Sequence, residues 1–487
     1  MNQKNTPLFD AIINFANNQS PTPFFIPGHK MGHGINPKWK DFTSDNIFKM
    51  DLTEVTDLDD FHCPQGVIKE SQLLAADAWG AKKSYFLVNG TSGGIIASIL
   101  STVQEGEKII VPRNSHKSVS AALIMSGAVP VYVLPEYNSD LGLVCGMNPD
   151  ALEEACMKNN DIKAVFGVSP TYHGICSDVK MLADITHKNN GIYIADEAHA
   201  SHVYFSEKLP KGALMEGSDI SCQSTHKMAG SLTQSSILHV NGDRIDIDFL
   251  EANLGLIQST SPSYILMASL DLARSYIATE GNRIFDELYD IAKSARQEMS
   301  EIQGLRVLDS SLINQFSIYD YEPMRFVISA IDIGLDGYTL RKILFKEYNV
   351  EVEFSDDSYI ICLLGIGSSK DDIERLLFAL KAVSKKYSKK SELQEKDNRN
   401  INLPDLPQMY LTPREAWNSK KKKVLWENAL GLICAETIVS YPPGVPVIYP
   451  GEKITKDIWE YLEGQRINGR HLHCSDEGKL EYINVID

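Results

Sequence analysis

IKAVFGV (Ile162–Val168), VKMLADITHK (Val179–Lys188) and GIYIA (Gly191–Ala195) follow one another and decide the fold. The first and third are short, continuous apolar runs, as in strands buried on both faces. The middle one alternates apolar and polar residues at helical spacing. Strand, helix, strand in that order reads as a βαβ unit, whose crossover requires parallel strands. The same alternation extends to the runs Lys108–Val111 and Val129–Leu134 and to the helical stretches Thr91–Val103 and Lys117–Ser126. The expected core is therefore α/β, a mostly parallel sheet with helices on both faces. Right-handed crossovers gather the C-terminal strand ends on one edge, where such sheets bind ligands.

The chain has 487 residues, enough for about three folding units at roughly 150 residues each. Hydrophobic residues make up 43% and charged residues 23%, which suits a globular protein with a large core. The formal charge of −17 argues against a nucleic-acid partner, which needs cationic surface; it suits a small cationic ligand, and taken alone it reads first as solubility. Met1–Gln19 lacks the basic start and apolar stretch of a secretory signal. No run approaches the roughly 20 apolar residues that cross a bilayer. Eight scattered cysteines without a CxxC read as reduced thiols in a cytoplasm.

Five segments are expected. Residues 1–75 form an N-terminal arm and 76–270 the large domain. Residues 271–383 form a smaller α+β domain, with β-rich runs at Arg325–Ile333, Val350–Phe354 and Tyr359–Gly365 around the helix Tyr338–Lys346. Residues 384–402, almost wholly polar, read as a linker or a frayed helix end. Residues 403–487 form a C-terminal α+β domain, marked by Tyr441-Pro442-Pro443-Gly444 and Pro450-Gly451.

The chemistry concentrates in SCQSTHKMAGSLTQSS (Ser221–Ser236). Lys227 lies there between His226 and small residues, just after an expected strand. A lysine that forms a Schiff base must be deprotonated, and seclusion from water lowers its pKa. The Ser224 and Thr225 hydroxyls suit a phosphate. Asp196 follows the expected strand Gly191–Ala195, and a carboxylate at a strand end can keep the ring nitrogen of pyridoxal phosphate protonated. Asp196-Glu197-Ala198-His199 also spells a helicase box, but the phosphate loop that reading requires is missing from the sequence. Asn89-Gly90-Thr91-Ser92-Gly93-Gly94 opens a helix, and free N–H groups with two hydroxyls make an anion site; an ordinary strand-to-helix turn has the same appearance. His116 also sits between a strand and a helix, where an imidazole would stack on a flat ring or simply cap the helix. The histidine pairs His29/His33, His199/His202 and His471/His473 lack the four-ligand spacing of zinc, and Gly365-Ile366-Gly367 lacks a dinucleotide fingerprint, so neither a metal nor NAD is expected.

Glycine-rich turn, His116, Asp196-x-x-His199 and Ser224-x-His226-Lys227 stand in the order of pyridoxal-phosphate enzymes of fold type I. Over nearly its whole length the chain resembles the Orn/Lys/Arg decarboxylase family, most of all its short bacterial arginine decarboxylases. Further carrying segments are Phe25–Lys30, Leu58–His62 with Pro64 and Gly66, Pro112–Ser118, and Tyr441–Pro446 with Pro450-Gly451-Glu452. The resemblance implies pyridoxal 5'-phosphate on Lys227, with Asp196 at the ring nitrogen, His116 stacked on the ring and His199 near the phenolic oxygen. It implies Thr91, Ser92, Ser224 and His226 around the phosphate. Thr260, in Ser259–Pro262, matches a stretch reaching the neighbouring subunit's phosphate, hence a homodimer with shared sites. Glu353 matches the acidic residue for the substrate's distal cation, with Asp356 as a second candidate. Cys222 stands where the family usually has a small Ser, Thr or Ala, a tolerable change for a buried site. The N-terminal wing domain of larger members has no counterpart before Phe25, so their large assemblies are not carried over.

The activity this implies is decarboxylation of a basic amino acid, arginine to agmatine and CO₂ at the entry to polyamine synthesis, with lysine and ornithine as alternatives. Either Lys227 or His226 would return the proton to Cα. A planar guanidinium suits bidentate pairing, which favours arginine. A fold-type-I aminotransferase or lyase is a rival reading; an aminotransferase would use an arginine for the α-carboxylate, and Arg325 and Arg341 are the residues present. A catalytically silent, regulatory homologue is another.

Overall fold

The computed structural model describes all residues except Ser20, 139–141, 392–403, 441–444, Asn468 and 470–471. The Tyr-Pro-Pro-Gly segment, His471 and much of the expected linker therefore lie outside the described residues. In chain order the elements that matter here begin with α1 (Val67–Trp79), β1 (Lys83–Leu87), α2 (Gly90–Thr102), β2 (Lys108–Pro112), α3 (Lys117–Ser126) and β3 (Val129–Val133). They continue with β4 (Ile162–Val168), α4 (Val179–Lys188), β5 (Ile192–Asp196), β6 (Ile220–Gln223), the single turn α5 (Thr225–Met228), β7 (Ser236–Val240), α6 (Ile247–Ile257) and α7 (Tyr264–Ser300).

The largest sheet has seven strands in the order β1-β7-β6-β5-β4-β2-β3. β2 pairs in parallel with β3 and with β4, as the βαβ pattern predicts. β7 departs from it, pairing antiparallel with both β1 and β6. Between β6 and β7 stands only the four-residue α5 and a turn, too little for the helical crossover that parallel strands require. α4 buries Val179, Leu182, Ala183 and Ile185 on one face, and Asp178 caps it by accepting from the Met181 N–H.

By internal contacts the chain divides into two units, residues 1–101 with 195–286 and residues 102–194 with 287–487. In the first, the N-terminal residues are fastened by a fully buried pair on α7, Arg274 and Asp271, 2.6 Å apart. Arg274 also donates to the carbonyls of Gln3 and Asn5, while Asp271 accepts from the N–H groups of Leu8 and Phe9. That carboxylate thereby satisfies donors at the start of the helix Pro7–Asn14, which has no side-chain cap of its own. α2 lies close against the sheet: a Cβ at Gly94 would stand 2.7 Å from Leu87 Cδ1 and 3.2 Å from Cys222 Sγ.

The second unit adds an antiparallel sheet of β8 (Arg306–Val307), β9 (Arg325–Ser329), β10 (Phe354–Ser355) and β11 (Ile360–Leu363), ordered β8-β9-β11-β10. Helices α8 (Gly337–Tyr348) and α9 (Lys370–Ser391) accompany it. The strand expected over Val350–Phe354 begins only at Phe354, although the Glu353 N–H still donates to the Ile361 carbonyl. The C-terminal part pairs β12 (Lys421–Leu425) with β16 (Tyr482–Ile486). It also joins β13 (Ile438–Ser440) to β14 (Val445–Ile448) and β15 (Leu472–His473), beside α10 (Lys456–Ile467). Its own core includes Trp426, Ile448, Ile458, Leu462 and Ile483.

Candidate active site

In the first unit, the end of β1, the start of α2 and the turn after β6 converge. The chain leaves β1 through Asn89 and Gly90, whose φ of +69° lies in the left-handed region and suits glycine. Thr91 and Ser92 then occupy the first turn of α2, where N–H groups have no partner within the helix. Thr91 Oγ1 shares a hydrogen bond with Ser224 Oγ and donates to Ser236 Oγ at 3.2 Å. Three hydroxyls from distant parts of the sequence thus gather at one helix N-terminus, which also carries partial positive charge.

Lys227 sits on α5, which Ser224 precedes. Its Nζ is 3.0 Å from His199 Nε2. Asp196, the last residue of β5, is buried and accepts from the Ala198 N–H at 3.0 Å. Burial pushes its carboxyl above the ordinary range, against the pull of that N–H and of the nearby Lys227 charge. His226 is half-buried, and its Nδ1–H donates to the Ser235 carbonyl at 2.7 Å. Burial lowers its pKa. The Thr225 hydroxyl is fully buried and has no partner among the described residues. Lys227, His199, Asp196, Thr91, Ser224 and His226, chosen from scattered positions in the sequence, are thereby found in one unit. Ser92 is half-buried beside them in sequence, and Thr260 is exposed in the same unit.

Two groups here were not legible as site residues. Gln258 clamps the end of β1, accepting from the Val88 N–H at 2.9 Å and donating to the Phe86 carbonyl. Glu197, beside Asp196, is buried among four donors; burial pushes its carboxyl above the ordinary range, against the pull of those donors.

The other expected residues belong to the second unit. His116 caps α3, its Nδ1 accepting from the Ser118 N–H at 3.2 Å. Glu353 is exposed and accepts from the Tyr172 hydroxyl at 2.7 Å. Asp356 accepts from the N–H groups of Ser358 and Tyr359 and lines a cavity of about 240 Å³. Tyr137, Tyr172, Tyr338, Tyr359 and Tyr461 also line it. Aromatic faces beside a carboxylate form an environment that attracts a cation. The arginines weighed for a transaminase both have carboxylate partners: Arg325 is buried with Glu322, and Arg341 pairs with Glu351 at 2.6 Å.

The described residues contain no helix long and apolar enough to cross a membrane. The chain is 36% identical to an arginine decarboxylase of Bacillus subtilis across 100% of this chain and 99% of that protein. It is 35% identical to an arginine decarboxylase of Bacillus anthracis across 100% and 98%. The constitutive lysine decarboxylase of Escherichia coli superposes with a TM-score of 0.85 at 21% identity, covering 99% of this chain and 82% of that one. An aminotransferase of Bacillus subtilis that acts between ureidoglycine and glyoxylate gives 0.54 at 15% identity, over 66% and 84%. These likenesses agree with the α/β fold built above. The profile of the Orn/Lys/Arg decarboxylase major domain matches residues 6–372, and that of the family's C-terminal domain matches residues 395–472. The chain belongs to the Orn/Lys/Arg decarboxylase family.

Proposed function

We propose that the chain is a pyridoxal-phosphate-dependent decarboxylase of L-arginine, yielding agmatine and CO₂ for polyamine synthesis in the cytoplasm. The observation that carries this reading is the Lys227 amine 3.0 Å from His199, in the same unit as buried Asp196 and the Thr91–Ser224 hydroxyl cluster. These residues fit the cofactor. A helix N-terminus with clustered hydroxyls suits a phosphate, and the unpartnered, buried Thr225 hydroxyl leaves hydrogen-bonding capacity there. When bound, pyridoxal phosphate supplies the electron sink for the pair left behind as CO₂ departs.

The chain's own residues have separate tasks. Lys227 would hold the cofactor through its amine. Asp196 would hold a proton on the ring nitrogen, and His116 is the residue assigned to offer its imidazole to the ring. His199, 3.0 Å from the Lys227 amine, would sit near the phenolic oxygen. Thr91, Ser92, Ser224 and His226 bind the phosphate, and Thr260 serves the partner's site in a homodimer. Lys227 or His226 returns a proton to Cα. Glu353, with Asp356 as second candidate, receives the distal cation, and the tyrosine-lined cavity around Asp356 supports a cationic substrate. Names of the full-length relatives favour arginine over lysine and ornithine. We assign residues 76–270 to the cofactor domain, 271–383 to the small domain and 403–487 to the C-terminal domain, with 1–75 as arm and 384–402 as linker.

Borohydride reduction of the protein mixed with pyridoxal phosphate, followed by peptide mass analysis, tests the assignment. The adduct is expected on the peptide containing Lys227 and should vanish in Lys227→Ala. An adduct on another lysine, or none, overturns it.

A further inference from the structure

Glu197 is a buried, heavily engaged group that the roles above leave unused. Its side chain is buried at 1% exposure. Oε2 accepts from the Tyr204 hydroxyl at 2.6 Å, from the Ser221 hydroxyl, and from Gln223 Nε2 at 3.1 Å. Oε1 accepts from the Ala213 N–H at 2.7 Å. The Glu197 N–H donates to the Cys222 carbonyl at 3.0 Å. Three consecutive residues of β6, Ser221, Cys222 and Gln223, are therefore tied to the single residue that follows Asp196. β6 leads directly into the turn that carries Lys227.

The donor set specifies a carboxylate. An ionised carboxyl only accepts, and four donors use its capacity. Neither the Ala213 N–H at Oε1 nor Gln223 Nε2 at Oε2 can accept in return, so an amide in this place would set its own N–H groups against one of the two. The acceptors of the carboxylate itself are all engaged in this buried network, and losing one of them there is costly. We infer that Glu197 is a positioning residue that sets the spacing between Asp196 and the Lys227 turn, so that ring-nitrogen partner and cofactor lysine engage one cofactor together. The inference rests on the roles proposed for Asp196 and Lys227.

The test compares Glu197→Gln, Asp196→Asn and the double variant in the full-length protein loaded with pyridoxal phosphate. Cofactor affinity, the pH midpoint of its absorbance, kcat and KM are all read. Glu197→Gln is expected to lower kcat about tenfold or more with KM nearly unchanged, the cost of small misplacement. It should also weaken cofactor binding and move the absorbance midpoint. In the Asp196→Asn background the same change should add little. Should Glu197→Gln fold poorly, Ser221→Ala, which removes one donor and leaves the carboxylate, should shift the same readouts in the same direction by less. A Glu197→Gln protein that merely melts earlier, with cofactor absorbance and kcat intact, overturns the inference, as do fully additive losses. If Asp196→Asn itself leaves cofactor binding and kcat unchanged, the Asp196 role fails and the inference with it.

Discussion

Arg113 and Glu452 form a buried pair whose disruption has a calculable cost. Arg113 ends up beside the C-terminal part of the chain because two of its nitrogens meet the two Glu452 oxygens, each at 2.7 Å. The side chains retain 10% and 1% of their exposure. Arg113 also donates to the Val447 carbonyl at 3.0 Å and stands 4.8 and 4.6 Å from the rings of Tyr132 and Tyr449. The Tyr449 N–H supplies Glu452 with a further donor at 2.7 Å. Glu452→Gln keeps the volume but leaves the guanidinium without its counter-charge. Two charge-assisted bonds at about 1.5–3 kcal/mol each give about 3–6 kcal/mol, and broken buried pairs typically cost about 3–5 kcal/mol. We expect a loss of about 4 kcal/mol in the unfolding transition that includes the C-terminal part, followed by urea titration. Replacing both partners with Met should cost much less than the single change, since no charge is left buried alone. A loss under about 1 kcal/mol for Glu452→Gln would refute the argument that the pair is desolvated. A double variant as unstable as the single would assign the stability to packing around the side chains instead of to charge.

Two further outcomes follow from named groups. Glu353→Gln should raise the KM for arginine about tenfold while cofactor affinity holds, the low end for a charge-assisted contact because Glu353 is exposed; an unchanged KM removes Glu353 from the substrate site. His239 is fully buried, shares a hydrogen bond with Ser84 at 2.7 Å, and burial pushes its pKa from 6.5 to about 3. The unfolded chain therefore binds the extra proton first, so this contribution to stability is complete above about pH 6.5 and is lost toward pH 3. The slope is at most about 1.4 kcal/mol per pH unit. Denaturant midpoints measured between pH 6.5 and 4 should fall less steeply in His239→Gln than in the parent, and equal slopes would contradict the assignment.

The parallel part of the sheet was legible because its signal is local. β2, β3, β4 and β5 are each continuous apolar runs, and helices such as α4 show one buried face. The turn chemistry at Gly90–Ser92 and the Asp196–Lys227 order were legible for the same reason, as short motifs read without distant partners. The antiparallel β7 was not, since Ser236–Val240 is as apolar as the parallel strands of the same sheet and only the short connection after β6 sets its direction. Glu197 looked like part of a helicase box because its donors come from Tyr204, Ala213, Ser221 and Gln223, at spacings that no periodicity marks. Arg113–Glu452 and Tyr172–Glu353 likewise join residues far apart in sequence, so nothing beside either residue announces the other. Thr225 carried a hydroxyl suited to phosphate in the sequence; its burial without a partner became visible only in three dimensions.

The central claim is that Lys227 and its neighbours decarboxylate a basic amino acid. The most direct measurement is CO₂ release by the purified protein with pyridoxal phosphate, supplied separately with arginine, lysine and ornithine. Release from arginine, with agmatine as the other product and no release by Lys227→Ala, is the predicted result. Release from lysine or ornithine alone would keep the chemistry and contradict the substrate assignment. No release from any of the three by a protein that binds the cofactor would contradict the claim itself.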